Sequence, residues 1–203
     1  AVLEADPDCA EAIDALEAAY EKHRDWDNLV AIRKQKADLA ETEADRAEAY
    51  KALATYATKK IRKPEICLEL WEIVLEVSPG DVDALRALVG SYEQSQDWDA
   101  LVSATSQLVD AVDDGKEQVT LLQKLGLVLQ DRVGDAEGAV AVWRQLLAID
   151  PTHRRAGDSL KKALIGLQDW DGLTAFFGGQ GNWTELVRVL ESQVGAAADD
   201  GVQ

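Results

Sequence analysis

The chain has 203 residues, of which 38 are acidic and 21 are basic, so its formal net charge is −17. A surface this acidic argues against binding to nucleic acid or to an anionic membrane face. No stretch approaches the ~18 consecutive apolar residues that a membrane span requires, yet 47% of the residues are hydrophobic, which is enough for a substantial core.

An internal repeat of 72 residues organises the sequence. The triplet Asp25-Trp26-Asp27 returns as Asp97-Trp98-Asp99 and as Asp169-Trp170-Asp171, at intervals (98 − 26 and 170 − 98) of 72. Five of the six tryptophans and three of the four prolines keep this interval. They are Trp26, Trp98 and Trp170, then Trp71 and Trp143, then Pro7, Pro79 and Pro151. Such self-similarity predicts a stacked helical array, in which we expect these tryptophans to pack in the core.

In chain order, each 72-residue block is predicted to hold two helical hairpins. In the first hairpin, Ile13, Leu16 and Tyr20 fall on one apolar face of a helix that ends near residue 24. Asp25 then suits the N-cap of the next helix, with Asp27 in its first turn, where carboxylates interact favourably with the helix dipole.

The second hairpin of the block begins after Thr42. Its first helix is expected to fade in the basic run 59–63, and Pro64 suits the first turn of the following helix, where a missing N–H costs nothing. The second block repeats this plan, with Gly134-Asp135 as its turn. Hairpin units are therefore predicted at 8–41, 42–79, 80–114 and 115–151.

The third block departs from the plan. Its helix from Trp170 meets Gly178-Gly179-Gln180-Gly181 after about two turns. Asn182-Trp183 then resembles a further copy of the Asp-Trp-Asp helix start, ahead of a helix that runs to about Val194. We predict one unit over 152–198, a tail at 199–203 and, at the other end, the close of a preceding helix at 1–7. We expect the chain to be a segment of a longer array.

No arrangement of residues points to catalysis, a cofactor or a metal ion. The Asp-Trp-Asp triplets contain paired carboxylates, but their recurrence in every block favours an N-cap and a packing tryptophan over acid–base chemistry. His23 and His153 lie in different blocks without a zinc-site spacing. The glycines at 178–181 lack the Lys-Ser/Thr of a phosphate-binding loop. The sequence therefore predicts no enzyme, no cofactor and no metal site.

The hairpins resemble the tetratricopeptide repeat (TPR) family, whose unit of about 34 residues is a helix-turn-helix. Residues close to the family's small, turn, aromatic and closing-proline positions are Leu125-Gly126, Gly134-Asp135, Ala139, Trp143 and Ile149-Asp150-Pro151. One extra residue lies in the first helix, and Arg33 and Lys36 stand where the family prefers an aromatic residue and an alanine. The alternation of two hairpin types is similar to long arrays in large bacterial proteins. The resemblance implies an all-α, right-handed solenoid of antiparallel hairpins with a 72-residue two-hairpin super-repeat.

The resemblance also implies a function, because family members mostly bind peptides or proteins along a groove lined by their first helices and are rarely catalytic. The candidate partner-binding side chains that map onto this groove are Lys51, Thr55, Lys59, Arg86, Glu93, Gln123, Gln130, Arg155 and Lys162. Lys51 and Arg86 belong to adjacent hairpins and would contact an acidic peptide together. Thr55 stands where members that clamp a C-terminal carboxylate carry asparagine, so that specific activity is not expected.

Two other functions stay open at this level. A structural spacer would set a distance or self-associate through the ends of the array, and a regulatory arm would serve an enzyme whose catalytic domain lies outside these residues. We expect a noncatalytic scaffold that binds a protein or peptide, neither nucleic acid nor a membrane interior. A cytoplasmic location is favoured over a secreted one, since Cys9 and Cys67 make no disulfide framework and no signal peptide is visible.

Overall fold

The computed structural model describes residues 10–179 and 181–200, with side chains up to residue 193. These residues form eleven α-helices and no strand, which confirms the all-α prediction. The helices are α1 (Ala10–His23), α2 (Trp26–Asp38), α3 (Glu43–Tyr56), α4 (Pro64–Val77), α5 (Val82–Ser95), α6 (Trp98–Ala111), α7 (Gly115–Val128), α8 (Ala136–Ile149), α9 (Arg154–Gly166), α10 (Trp170–Gly179) and α11 (Trp183–Asp200). The last helix extends past the Val194 at which the sequence places its end. The helix end predicted at 1–7 lies outside the described residues.

The helices pack as consecutive antiparallel hairpins, and the chain divides into two compact units, Ala1–Val112 and Asp113–Gln203. The first unit contains the hairpins α1–α2, α3–α4 and α5–α6. The second unit contains α7–α8 and α9–α10, followed by α11. Within each unit, the second helix of a hairpin also packs against the first helix of the next hairpin.

The aspartates of the three triplets begin the second helices as N-caps, as predicted. A side-chain oxygen of Asp25, Asp97 or Asp169 accepts a hydrogen bond from the backbone N–H three residues later, at 3.5, 3.2 and 2.8 Å respectively. The residue before each aspartate, at positions 24, 96 and 168, has a left-handed backbone with φ of 56°, 60° and 55°. One turn geometry therefore closes all three hairpins.

Asn182 begins α11 with the same turn. Its backbone N–H donates to the carbonyl of Phe177 at 3.0 Å, just as the N–H of Asp25 donates to the carbonyl of Tyr20 at 2.9 Å. Gly181 supplies the left-handed residue, with φ 67°. The predicted further copy of the helix start is thus confirmed by its backbone geometry.

Two π-helical turns, Ala57–Ile61 and Leu129–Val133, follow α3 and α7 directly. In the first, the N–H of Arg62 donates to the carbonyl of Ala57 at 2.9 Å, five residues back. Such a turn holds one more residue than an α-helical turn. The extra residue seen in the sequence is therefore taken up here, and the basic run 59–63 belongs to this turn and its exit.

The tryptophans divide into two classes. Trp71 and Trp143 are 6% and 1% exposed and lie in the core, as predicted. Trp26 and Trp98 are only half-buried, and Trp170 is 38% exposed. Trp26 still packs against the buried core cluster of α1 and α2. The core prediction is therefore confirmed in part for Trp26 and Trp98 and is wrong for Trp170, because each is the first residue of its helix, where neighbours cover only part of the ring.

Trp143 packs directly against Gly126 of α7. A Cβ atom added to Gly126 would lie 2.5 Å from Cζ2 of the indole. The residue 72 positions earlier is Ala54, which is fully buried in the hairpin that contains Trp71. A small residue at this position lets α7 and α8 approach each other closely.

Candidate interaction surfaces

A cluster of four charged side chains joins α3 to the start of α5 in the first unit. The ammonium of Lys51 lies 2.8 Å from a carboxylate oxygen of Asp81 and 2.8 Å from one of Asp83. Arg86 lies 3.9 Å from the other oxygen of Asp83. Asp81 also caps α5 by accepting a 2.9 Å hydrogen bond from the N–H of Ala84. Lys51 and Arg86 therefore meet around one carboxylate.

The pKa values in this cluster show that its charges stabilise each other. Hydrogen bonds to Asp81 and then Asp83 raise the pKa of Lys51 above its ordinary value. Burial alone would raise the pKa of Asp81, but the hydrogen bonds from Lys51 and Ala84 outweigh burial and hold that pKa below its ordinary value. Sequence reasoning found the two cations but did not predict that they pair with Asp81 and Asp83.

The other candidates of the first unit lie on the same two first helices. Thr55 is half-buried one turn after Lys51, and Lys59 is exposed in the π-helical turn. Glu93 is exposed on α5, two turns after Arg86. These five side chains thus follow α3 and α5 along their lengths.

The predicted partner-binding residues of the second unit differ in how exposed their side chains are. Arg155 and Lys162 are exposed on α9, and Gln123 is half-buried on α7. Gln130 lies in the second π-helical turn, and its carboxamide oxygen is buried without a hydrogen-bond partner. That oxygen faces the interior, so Gln130 offers little of its polar group to a partner.

Charged residues replace the usual aromatic and small residues at the α1–α2 interface. Arg33 pairs with Glu17 at 2.9 Å and with Glu21 at 3.1 Å, and its guanidinium lies 4.1 Å from the ring centroid of Tyr56. Lys36 pairs with Glu17 at 3.2 Å and with Asp14 at 2.7 Å, and both of these carboxylates lie on α1. This network accounts for the departure from the family pattern at positions 33 and 36, since every cation there has a carboxylate partner.

An open cleft of about 540 Å³ lies in the second unit between α8 and α10, with α9 at its base. Its apolar lining consists of Leu147, Ala148, Pro151, Leu160, Ala175 and Phe176. Arg144 is the one charged residue among the lining residues. Sequence reasoning missed this cleft because the motifs include only Pro151 of its lining, and Pro151 is explained there as a residue that closes a helix.

The residues 72 positions earlier in the repeat differ in charge from those that line this cleft. Arg144 and Ala148 replace Glu72 and Glu76, so two acidic side chains give way to a cation and a methyl group. Glu72 accepts a 2.8 Å hydrogen bond from Tyr92, and burial together with this carboxylate raises the pKa of Tyr92 to about 12. The acidic character of the earlier surface is therefore lost in the second unit.

A second exchange concerns Phe176. The pair Leu85 and Ala104 of the first unit becomes Gly157 and Phe176 in the second, and a Cβ on Gly157 would lie 3.6 Å from Cζ of Phe176. The phenyl ring thus fills space next to a glycine and forms one wall of the cleft. Its edge meets the ring of Phe177 at a centroid distance of 5.4 Å.

Neither a metal centre nor a membrane span is found in the described part of the chain. No group of three or more His, Cys, Asp and Glu side chains is placed there to hold a metal ion. No helix among those residues is long and apolar enough to cross a bilayer.

In a comparison with protein families, residues 12–47 match the model described as a tetratricopeptide repeat. No curated protein matches the chain. Among solved structures, MamA is 19% identical, with 83% of this chain and 87% of that chain covered and a TM-score of 0.44. YrrB, described as "a TPR protein with an unusual peptide-binding site", is 13% identical over 94% of this chain and 96% of that chain, with a TM-score of 0.44. BtubC from P. vanneervenii is 14% identical over 98% and 85%, with a TM-score of 0.41.

Proposed function

We propose that the chain is a noncatalytic scaffold of the tetratricopeptide type, which binds a peptide or protein segment along α3 and α5 of its first unit. Repeats of this family serve protein–protein interaction and are usually noncatalytic. The supporting observation is the meeting of Lys51 and Arg86, from adjacent hairpins, around the carboxylate of Asp83. A carboxylate of a bound peptide would take the place of Asp83 between the two cations.

The remaining candidates extend this surface in both directions along the helices. Thr55, Lys59 and Glu93 offer polar atoms to the peptide backbone and side chains beyond the charge cluster. In the second unit, Gln123, Arg155 and Lys162 would form a separate surface on first helices α7 and α9. Gln130 is left out because its oxygen is buried.

Asp83 provides a direct test, because it competes with a ligand for Lys51 and Arg86. The probes are random dodecapeptides displayed on phage, selected on the immobilised chain and then synthesised. Asp83→Asn should raise the affinity of acidic peptides several-fold, since it removes the competing charge. Lys51→Glu/Arg86→Glu should lower that affinity by about tenfold to a hundredfold, which is the value of two charge-assisted hydrogen bonds. Lys116→Glu, a charge reversal on the exposed start of α7, serves as control.

The two outcomes that contradict the proposal point to different functions. Peptides that bind all variants equally would place the binding site away from α3 and α5. Selection of no peptide, together with concentration-dependent sedimentation of the chain alone, would favour the self-associating spacer.

A further inference from the structure

The cleft between α8 and α10 has the composition of a ligand site, and it is separate from the surface on α3 and α5. Most of its lining comes from the second helices α8 and α10, with Leu160 of α9 at the base, whereas the proposed peptide surface follows first helices in the other unit. A volume of about 540 Å³ lies within the range of known ligand pockets. We infer that this cleft docks an amphipathic segment of a partner protein, in which a large apolar side chain lies next to a carboxylate.

The expectation that the partner segment carries a large apolar side chain comes from the residues that line the cleft. Leu147, Pro151 and Phe176 present hydrocarbon and aromatic surface to an opening that no other described residue of the second unit closes. Covering such surface with an apolar side chain removes it from water, which stabilises the complex in proportion to the area buried. An amphipathic helix laid between two helices is a common way to do so.

The expectation that the partner segment carries a carboxylate comes from Arg144. Among the described residues its guanidinium makes one long polar contact, 3.6 Å, to Oδ2 of Asp169, whose other oxygen accepts the N–H of Gly172 at 2.8 Å to cap α10. A guanidinium has five N–H donors in a planar fork that matches a carboxylate, so one long contact leaves most of its hydrogen-bonding capacity for a ligand. In a chain of net charge −17, a cation at the edge of an apolar cleft selects an acidic partner from solution.

The internal repeat shows that packing does not require these side chains. The equivalent positions of the first unit carry Glu72, Glu76 and Ala104 in place of Arg144, Ala148 and Phe176, and the same helical hairpins form. The variant Arg144→Glu/Ala148→Glu therefore introduces side chains that this fold already accepts at those positions. It should keep its helix content and melting temperature.

The experiment uses random dodecapeptides displayed on phage, selected on the full chain and measured by fluorescence anisotropy. Selected peptides should carry Phe, Leu, Ile or Trp beside Asp or Glu. Their affinity should fall at least tenfold for Arg144→Glu/Ala148→Glu, because a charge-assisted pair becomes a repulsive one. Lys116→Glu, the same charge reversal on exposed α7, should bind as the wild type does.

The other outcomes overturn the inference. Selection of no peptide, selection of peptides without acidic residues, or equal binding by Arg144→Glu/Ala148→Glu would each do so. Peptides that lose affinity only for Lys51→Glu/Arg86→Glu would support the surface on α3 and α5 and refute the cleft. Self-association that the cleft variant abolishes would replace the partner protein with a second copy of this chain.

Discussion

Trp71 donates a 3.0 Å hydrogen bond from its indole Nε1 to the hydroxyl of Thr58, which in turn donates to the carbonyl of Ala54 at 2.9 Å. In the hairpin 72 residues later, Gln130 takes the place of Thr58, and Trp143 takes the place of Trp71. The indole Nε1 of Trp143 and the carboxamide oxygen of Gln130 are both buried and find no hydrogen-bond partner among the residues that the structure describes. The indole N–H at this repeat position therefore has a hydrogen-bond partner in the first of these hairpins but not in the second.

Gln130→Thr should transfer the hydroxyl partner to the second hairpin and raise the free energy of unfolding by about 1 kcal/mol, the net value of one buried hydrogen bond. Thr58→Val is the reciprocal change and should lower stability by about 1–3 kcal/mol, because it leaves Nε1 of Trp71 unpaired. Urea denaturation of both variants measures the difference. Equal stability of wild type and Gln130→Thr would show that the hydroxyl does not reach Trp143.

Gly126→Ala should destabilise the second unit by about 1–3 kcal/mol, because the added methyl overlaps the buried ring of Trp143. Gly90→Ala is a matched control in the middle of α5, where an added Cβ meets no atom within 4 Å. It should stabilise the chain by about 0.5–1 kcal/mol, since alanine is the better helix former. Thermal melts that rank the two variants in the opposite order would contradict the close packing.

Thr105→Val should stabilise the first unit by about 1 kcal/mol. Thr105 is 1% exposed, and its hydroxyl has no hydrogen-bond partner, so valine removes a buried unsatisfied group without changing the volume. Thr105→Ser is the control, because it keeps the hydroxyl and loses a methyl group, and it should cost about 1 kcal/mol. A loss of stability in Thr105→Val, measured by urea titration, would mean that the hydroxyl is satisfied in solution.

Trp143→Ala should cost about 3–5 kcal/mol, because it leaves a large cavity between α7 and α8. Trp98→Ala should cost clearly less, about 1–3 kcal/mol, since that ring is only half-buried. Comparing the two melting temperatures tests this ranking. Equal losses would show that the exposed side of Trp98 is covered in solution.

Lys51→Met should lower stability by no more than about 1 kcal/mol near neutral pH, since Lys51 is 32% exposed and solvent screens its ion pairs. The lowered pKa of Asp81 contributes stability that is lost as pH falls below the ordinary value of 3.8. The raised pKa of Lys51 contributes stability that is lost as pH rises above 10.5. The difference between wild type and variant should therefore be largest between these values. A difference that grows at either extreme would contradict the pairing.

The sequence predicts the backbone of each hairpin well, because local chemistry determines it. Asp25 and its repeats mark helix starts through their short carboxylate side chains, and Pro64 takes the first position of α4 as expected. The left-handed turn residues Arg24 and Gln96 could not be recognised, since neither residue type signals a positive φ.

The surfaces are harder to predict, because they depend on which long side chains meet in space. Lys51 and Asp83 are 32 residues apart (83 − 51), and only the packing of α3 on the next hairpin brings them together. The cleft beside Phe176 left two sequence signals at the repeat interval, the exchange of Ala104 for Phe176 and the exchange of Glu72 for Arg144. Aligning the repeats position by position would have located it.

The π-helical turns have a consequence for how such an array changes in length. In a straight α-helix, one inserted residue rotates everything after it by about 100°, which would carry the following apolar side chains to the solvent side. The wide turn at Ala57–Ile61 prevents this rotation, and Ala57 and Ile61 both stay buried. The turn recurs at Leu129–Val133 but not in the described hairpins α1–α2, α5–α6 and α9–α10. The smallest segment whose duplication would keep this alternation is therefore a pair of hairpins.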